Sequence, residues 1–205
     1  MPDHYYTQTP TSAHKPGQVD FLWRGAKLVF ETDSGVFSRT EIDKGTEILL
    51  NALPEELTGS LLDMGCGYGV IGVTLGKRYP GLSVMMSDVN ERAVELSRRN
   101  AQRNGVPARV MQSDGYADVP FQRMDWIVQN PPIRAGKSVI YAMFAEGARR
   151  LEPSGELWLV IRKQQGAESA VRYLKTLFGR VEAVSKKGGF WVLCCTQPAE
   201  RPDEE

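Results

Sequence analysis

With 205 residues, 41% of them hydrophobic, the chain can bury one sizeable core and is too short for two ordinary α/β domains. Lys and Arg total 25, as do Asp and Glu, so no net field draws the protein to nucleic acid or to an anionic membrane, and any basic surface must be local. No stretch reaches membrane-spanning length, and the first residues lack a basic region followed by an apolar one, which points to the cytoplasm.

Residues 1–18 are polar, carry Pro2, Pro10 and Pro16 and show no hydrophobic period, so they read as a flexible arm preceding one domain over 19–196. Residues 19–23 and 26–32 are rich in strand formers and flank Arg24-Gly25, the pattern of a β-hairpin. In Gly35-Val36-Phe37-Ser38, Phe37 reads either as a core anchor or, with Ser38, as the rim of a ligand pocket. From Glu41, the spacing of Ile42, Thr46, Ile48, Leu49 and Leu53 predicts an amphipathic helix ended by Pro54.

Leu61-Leu62-Asp63-Met64 is an apolar strand that runs into Gly65-Cys66-Gly67-Tyr68-Gly69, with glycine at every second position. Such a loop accepts positive φ and lets a ligand approach without a Cβ in the way. Val70, Ile71, Val73 and Leu75 then predict a helix whose free N–H groups point into the same space. Residues 82–88 form a second strand ending in Asp88, followed by Val89, the cap residue Asn90 and a helical stripe to Asn104-Gly105. Residues 108–112 predict a third strand, before Ser113-Asp114-Gly115, and residues 125–129 a fourth, ending in Asn130-Pro131-Pro132-Ile133.

A helix from Ser138 through Leu151, closed by Pro153 and Gly155, precedes a fifth strand over 156–161. Ala170, Val171, Leu174, Leu177 and Phe178 mark another helix. Residues 181–185 and 190–196 are two strands around a turn at Lys186-Lys187-Gly188-Gly189, and residues 197–205 read as a disordered tail. Alternating strands and helices predict an α/β domain with a parallel sheet covered on both faces and its last strand antiparallel. Cys194 and Cys195 are adjacent in a strand and face opposite ways, while Cys66 is remote, so the cysteines read as free thiols and no metal site is expected.

Ligands of open α/β sheets bind outside the carboxyl ends of the strands. Asp88 alone could be a cap and Asp114 alone a turn residue, but here the glycine loop, Asp88, Asp114 and Asn130 to Ile133 stand at successive strand ends. A NAD fingerprint would place its third glycine at position 70, which is Val. Asn-Pro-Pro after a strand reads either as a stiff turn or as a site for an amino group whose lone pair is delocalised. The Asn130 side-chain carbonyl and the Pro131 backbone carbonyl can accept both N–H bonds of that amine and turn its lone pair toward an electrophile. Three basic pairs, Arg134 with Lys137, Arg162 with Lys163 and Lys186 with Lys187, follow the fourth, fifth and sixth strands and suggest a phosphate track on the same edge.

The run Asp63-x-Gly-x-Gly-x-Gly resembles the first motif of the class I S-adenosylmethionine (SAM) methyltransferases. Together with Gly35-Val36-Phe37-Ser38, Asn130-Pro131-Pro132-Ile133-Arg134, Gly155-Glu156-Leu157-Trp158 and Lys186-Lys187-Gly188-Gly189-Phe190, it makes nearly the whole chain similar to the small-subunit ribosomal RNA guanine-N2 methyltransferases of the C type, in a short form. The resemblance implies a Rossmann-like seven-stranded sheet with an N-terminal hairpin and SAM as cofactor. It also implies methyl transfer to guanine N2 of ribosomal RNA, free or in the small ribosomal subunit. Asp63 would then serve the methionyl ammonium, Asp88 the ribose hydroxyls and Asp114 the adenine amine, with Gly65 to Gly69, Val89, Gly115 and Asn130 completing the cofactor site. Pro132 and Ile133 complete the catalytic turn; Phe37, Ser38, Phe190 and the basic pairs would face the substrate. Where many relatives carry an aromatic residue after Asn-Pro-Pro, this chain has Ile133, so another ring, from Phe37, Tyr116, Phe190 or Trp191, must stack on the target base. A protein glutamine-N5 methyltransferase and a non-catalytic ribosome-assembly factor are the alternative readings.

Overall fold

Central strands buried on both faces and the helices that cover them assemble into three layers in the computed structural model, which describes residue 9 and residues 12–199. In chain order the elements are β1 (Gly17–Trp23), β2 (Ala26–Thr32), α1 (Lys44–Ala52), β3 (Gly59–Met64), α2 (Val70–Arg78), β4 (Leu82–Asp88) and α3 (Glu91–Arg103). They continue with β5 (Ala108–Gln112), β6 (Met124–Gln129), α4 (Lys137–Arg149), β7 (Leu151–Arg162), α5 (Ala167–Leu174), β8 (Phe178–Lys187) and β9 (Phe190–Pro198). The seven-stranded sheet has the order β5-β4-β3-β6-β7-β9-β8, with β9 antiparallel to both neighbours and the other six strands sharing one direction. This is the Rossmann-like methyltransferase sheet expected from the sequence.

Period-two alternation sends neighbouring residues to opposite faces. Leu61, Met86, Val128, Val160 and Cys194 pack in the core beneath α1, α2 and α3, whereas Leu62, Met85, Ile127, Ile161 and Cys195 pack beneath α4 and α5. All three cysteines are buried free thiols, and among the described residues no His, Cys, Asp and Glu cluster could hold a metal ion. No described helix is long and apolar enough to cross a membrane.

Several boundaries differ from the sequence expectation. Leu151 does not end a helix: it opens β7 by pairing with Met124, and Pro153 and Gly155 sit in the irregular stretch where the β6–β7 register shifts. Phe178 likewise starts β8 instead of closing α5. Lys186 and Lys187 are strand residues paired with Trp191 and Phe190, so the hairpin turn is Gly188-Gly189 alone, with φ of 58° and 79°. Of the expected arm, residues 1–8, 10 and 11 lie outside the described residues. Residues 12–16 lie against the domain, because buried Asp33 accepts from the Lys15 N–H and the His14 ring, and Arg92 donates to the Ser12 carbonyl. Gly17 and Gln18 already belong to β1. At the other end, Gln197 and Pro198 extend β9 and the Ala199 N–H donates to Leu177 O; residues 200–205 lie outside the described residues.

The β1–β2 hairpin forms a separate two-stranded sheet, and side chains of α3 take the place of a strand along its edge. The Asn100 carboxamide accepts from the Glu31 N–H at 2.7 Å and donates to Glu31 O at 3.0 Å, while Asn104 repeats the exchange with Val29 at 3.1 and 2.9 Å. Asn100 also donates to Tyr68 O at 2.8 Å and is fully buried, so it ties the hairpin to the glycine loop. Trp23 and Arg24 close the far end of the hairpin, on Asn51 and on the carbonyls of Leu53 and Pro54. Replacing Asn100 by Ala strands buried backbone groups and is expected to cost about 1–3 kcal/mol of stability. Urea unfolding checks this; a midpoint unchanged from the parent's would show that the hairpin docks by its apolar face alone.

Candidate active site

The order of the sheet reverses beside β3: the chain builds outward through β4 and β5, then returns to place β6 on the other side. Asp63 pairs with Met86 and with Val128, so the glycine loop after β3 leaves the sheet between the ends of β4 and β6, at the point where ligands bind in open α/β sheets. A cavity of about 1000 Å³ opens there. Of the expected site residues it is lined by Phe37, Ser38, Gly65, Cys66, Gly67, Tyr68, Asp88, Val89, Asp114, Gly115, Asn130, Pro131 and Pro132.

Gly65 and Gly67 have φ of 72° and 57°, and a Cβ at either position would meet nothing within 4 Å, so the loop presents bare backbone at the cavity. Asp88 holds this loop open: its Oδ2 accepts from Gly67 N at 2.8 Å and its Oδ1 from Asn90 N at 2.9 Å. Burial pushes the Asp88 carboxyl up to about 6, against the opposing pull of backbone N–H groups from Asn90, Gly67 and Val89. Asp63 behaves differently from the expectation. It is fully buried and does not line the cavity: its Oδ2 accepts from Gly72 N at 2.8 Å, inside α2, and its Oδ1 has no partner. It fastens the first turn of α2 from beneath. Burial, reinforced by the nearby Asp88 charge, raises its carboxyl to about 7 in spite of the Gly72 hydrogen bond.

At the end of β6 the Asn130 carboxamide donates both to Asp43 Oδ2 and to Thr46 Oγ1, each at 3.0 Å. Its carbonyl oxygen takes no hydrogen bond from the described residues. Ile133 N donates to Pro131 O at 2.9 Å, which occupies one lone pair of that carbonyl and leaves the second. Pro132, with φ −75° and ψ 77°, makes the bend. Among the described residues no peptide bond is cis.

Besides Asp63 and the six basic residues, three expected residues do not line the cavity. Ile133, in the 3-10 turn after Pro132, is half-buried and packs against the core under α4, which takes much of its aliphatic surface out of water. Phe190 is 8% exposed, wedged against Gly45 of α1 with the Arg162 guanidinium over its ring at 4.7 Å. Gly69 caps α2 with φ 91° and lies behind the loop. Arg134, Lys137, Arg162, Lys163, Lys186 and Lys187 do not line the cavity, although all six are exposed. Of the aromatic candidates, Phe37 and Tyr116 reach the cavity and Trp191 does not.

Sequence reasoning passed over Asp43 and Thr46, whose signal was an Asp three residues before a Thr at a helix start. It also passed over Glu146 of α4 and Arg150, four residues on, which caps the end of that helix. Arg150, largely buried, donates to Glu146 Oε1 at 2.7 Å and to the carbonyls of Val119 and Pro120, so it braces the loop that carries Asp114. Together the cavity offers bare backbone at the glycine loop, the Asp88 carboxylate for vicinal hydroxyls, Asp114 beyond it for an amine, and apolar walls from Val89, Ile71 and Met143. That set fits SAM.

The Asp63 carboxyl carries a pH signature. Its value rises from 3.8 in the unfolded chain to about 7 in the fold, so the stability it contributes is full below pH 3.8 and is lost as pH rises through 7. The melting temperature of the parent is therefore expected to fall between pH 5 and pH 8 relative to that of an Asp63→Asn variant, which cannot ionise. Thermal scans at both pH values check this, and parallel melting curves would show that Asp63 ionises freely.

Comparison with known proteins agrees with this geometry. The model of the methyltransferase small domain family matches residues 27–194. The Bacillus subtilis (strain 168) protein YbxB is 44% identical over 196 residues, covering 94% of this chain and 98% of its own length. The ribosomal RNA small subunit methyltransferase C of Hahella chejuensis is 42% identical over 170 residues, covering 77% of this chain and 49% of its own, so the chain spans about half the length of that protein. Among solved structures, the T. thermophilus 16S rRNA N2 G1207 methyltransferase in complex with AdoMet and guanosine superposes with a TM-score of 0.80 at 26% identity, covering 91% of this chain and 51% of that one. Fold, cavity and relatives converge: the chain belongs to the methyltransferase small domain family, as a SAM-dependent methyltransferase.

Proposed function

We propose that the protein transfers a methyl group from SAM to the exocyclic N2 of a guanine in small-subunit ribosomal RNA. The observation that carries the reading is the Asn130 carboxamide, whose nitrogen is taken up by Asp43 and Thr46 while its oxygen is left for an incoming N–H. Bound SAM supplies a sulfonium methyl open to in-line displacement. Asn130 Oδ1 and the second lone pair of Pro131 O accept the two N–H bonds of the base amine, which draws its lone pair out of conjugation and aims it along the displacement axis. No strong base is needed, because the proton leaves after the new bond has formed. Phe37, exposed at the cavity's lip, is the ring placed to stack on a flipped base in the absence of an aromatic residue at position 133. The similarity to the two ribosomal RNA methyltransferases named above supports the choice of RNA.

The three basic pairs supply the phosphate track. They lie at the carboxyl ends of β6, β7 and β8, and none of the six has an acidic partner among the described residues. Lys186 is held over the Trp191 ring at 4.2 Å.

The test is incubation with methyl-labelled SAM and either ribosomal RNA, assembled small subunits or a release factor, followed by digestion. Label in N2-methylguanosine is expected; label in glutamine, or in no product, overturns the reading. Asn130→Ala should lower kcat about a hundredfold to a thousandfold with SAM affinity nearly unchanged, because its acceptor acts on the nucleophile in the transition state. Turnover near the parent's would make the Asn-Pro-Pro turn a purely structural element. For RNA binding, the slope of log affinity against log salt should shrink by about 0.7 per lost phosphate contact in the Lys186→Ala/Lys187→Ala double variant. An unaltered slope would place the RNA on another face.

A further inference from the structure

Asn130 is only as useful as the orientation of its amide, since a carboxamide turned by 180° would offer the amine two N–H donors in place of an acceptor. The hydrogen bonds around it decide that orientation. Asp43 precedes α1 as its cap, its Oδ2 accepting from Thr46 N at 2.9 Å. The same oxygen accepts from the Thr46 hydroxyl at 3.4 Å, which commits the hydroxyl proton to Asp43 and leaves Thr46 Oγ1 with lone pairs toward Asn130. Asn130 therefore faces two acceptors and no donor, each 3.0 Å from its nitrogen. A flipped amide would set its oxygen against a carboxylate oxygen and a hydroxyl lone pair.

Two further features favour this arrangement. Residue 45 is glycine, and a Cβ there would come within 2.9 Å of both Asp43 Oδ2 and the Phe190 ring, so a side chain at that position would push the carboxylate aside. Thr46 is buried at 6%, which keeps water from competing for the amide.

We infer that Asp43 and Thr46 are positioning residues for methyl transfer: they fix the Asn130 carboxamide so that its oxygen, and not its nitrogen, meets the substrate amine. The inference rests on the transfer reading above for its catalytic consequence, while the anchoring of the amide stands independently of it. Neither residue touches the reacting atoms. Their effect belongs to kcat and not to SAM binding, and it exceeds what loss of a helix cap alone would produce.

The experiment compares Thr46→Val, Thr46→Ser and Asp43→Ser in the full chain; the last keeps an oxygen able to cap α1 but withdraws the carboxylate from Asn130. The first readout is exchange of the Asn130 side-chain N–H protons with water by NMR, assigned by their loss in Asn130→Ala. The parent should show slow exchange, and Thr46→Val and Asp43→Ser should speed it about tenfold or more. The second is turnover: kcat should fall about tenfold to a hundredfold in those two variants, at unchanged SAM affinity and melting temperature, with Thr46→Ser restoring most of it. Rapid exchange in the parent, or Thr46→Val and Asp43→Ser turning over at the parent's rate, overturns the inference. Slow exchange in a parent that methylates no RNA supports the anchor and overturns the transfer reading, so the two failures are distinct. If Thr46→Val is less folded than the parent, Asp43→Ser, with its cap intact, decides.

Discussion

Between β3 and β6 the sheet changes its direction of growth, and the crevice left by that reversal is the constraint on which the site depends. Parallel strands end at a common edge, and the connections that leave β3 and β6 must diverge to opposite faces. The glycine loop fills one side of the gap and the Asn-Pro-Pro turn the other. Because β3 is hydrogen-bonded to both β4 and β6, the three strand ends cannot shift independently, and the spacing between Gly65, Asp88 and Asn130 is set by backbone pairing and not by side-chain contacts.

On this rigid frame, carboxylates do much of the local shaping. Asp63, Asp88 and Asp43 each accept backbone N–H groups at the start of a turn or helix, and each sits beside the cavity or under it. Their oxygens are directed differently. Asp63 turns inward and fastens α2; Asp88 spans the loop and the cavity; Asp43 is turned toward another side chain. One residue type thus serves anchoring, ligand facing and orientation within a single crevice, and burial raises the carboxyls of Asp63 and Asp88 above those of surface carboxylates.

Much of this was legible in the sequence. Apolar runs and strand-forming residues marked the strands, and Asn90 and Asn104-Gly105 marked both ends of α3. The glycine loop, Asp88, Asp114 and Asn130 were identified as one site because each follows a strand. What escaped were facts of tertiary contact. Leu151 and Phe178 satisfy a helical period as well as a strand one, and only pairing with Met124 and Pro198 assigns them. Asp63 carries the same motif position whether its carboxylate faces a ligand or the helix behind the loop. Ile133 and Phe190 read as surface residues beside the site, yet apolar burial drew both inward. Asp43 and Asn130 are 87 residues apart, a distance across which no local pattern reports.

The docking of the hairpin has a consequence for how this fold tolerates change. On β2, the Asn100 and Asn104 carboxamides hydrogen-bond to main-chain groups of Glu31 and Val29, so these two side chains recognise the strand by its backbone. Val29 can therefore vary while this attachment persists, with proline the exception because it removes the donor, whereas the Glu31 carboxylate also meets Arg99 and Arg103 of α3, each at 3.1 Å, so its charge is read as well. The main-chain part of the docking is set on α3, where the two asparagines, four residues apart, match the two-residue repeat of a strand with the single turn of a helix, and the Glu31 carboxylate adds a side-chain lock to that register.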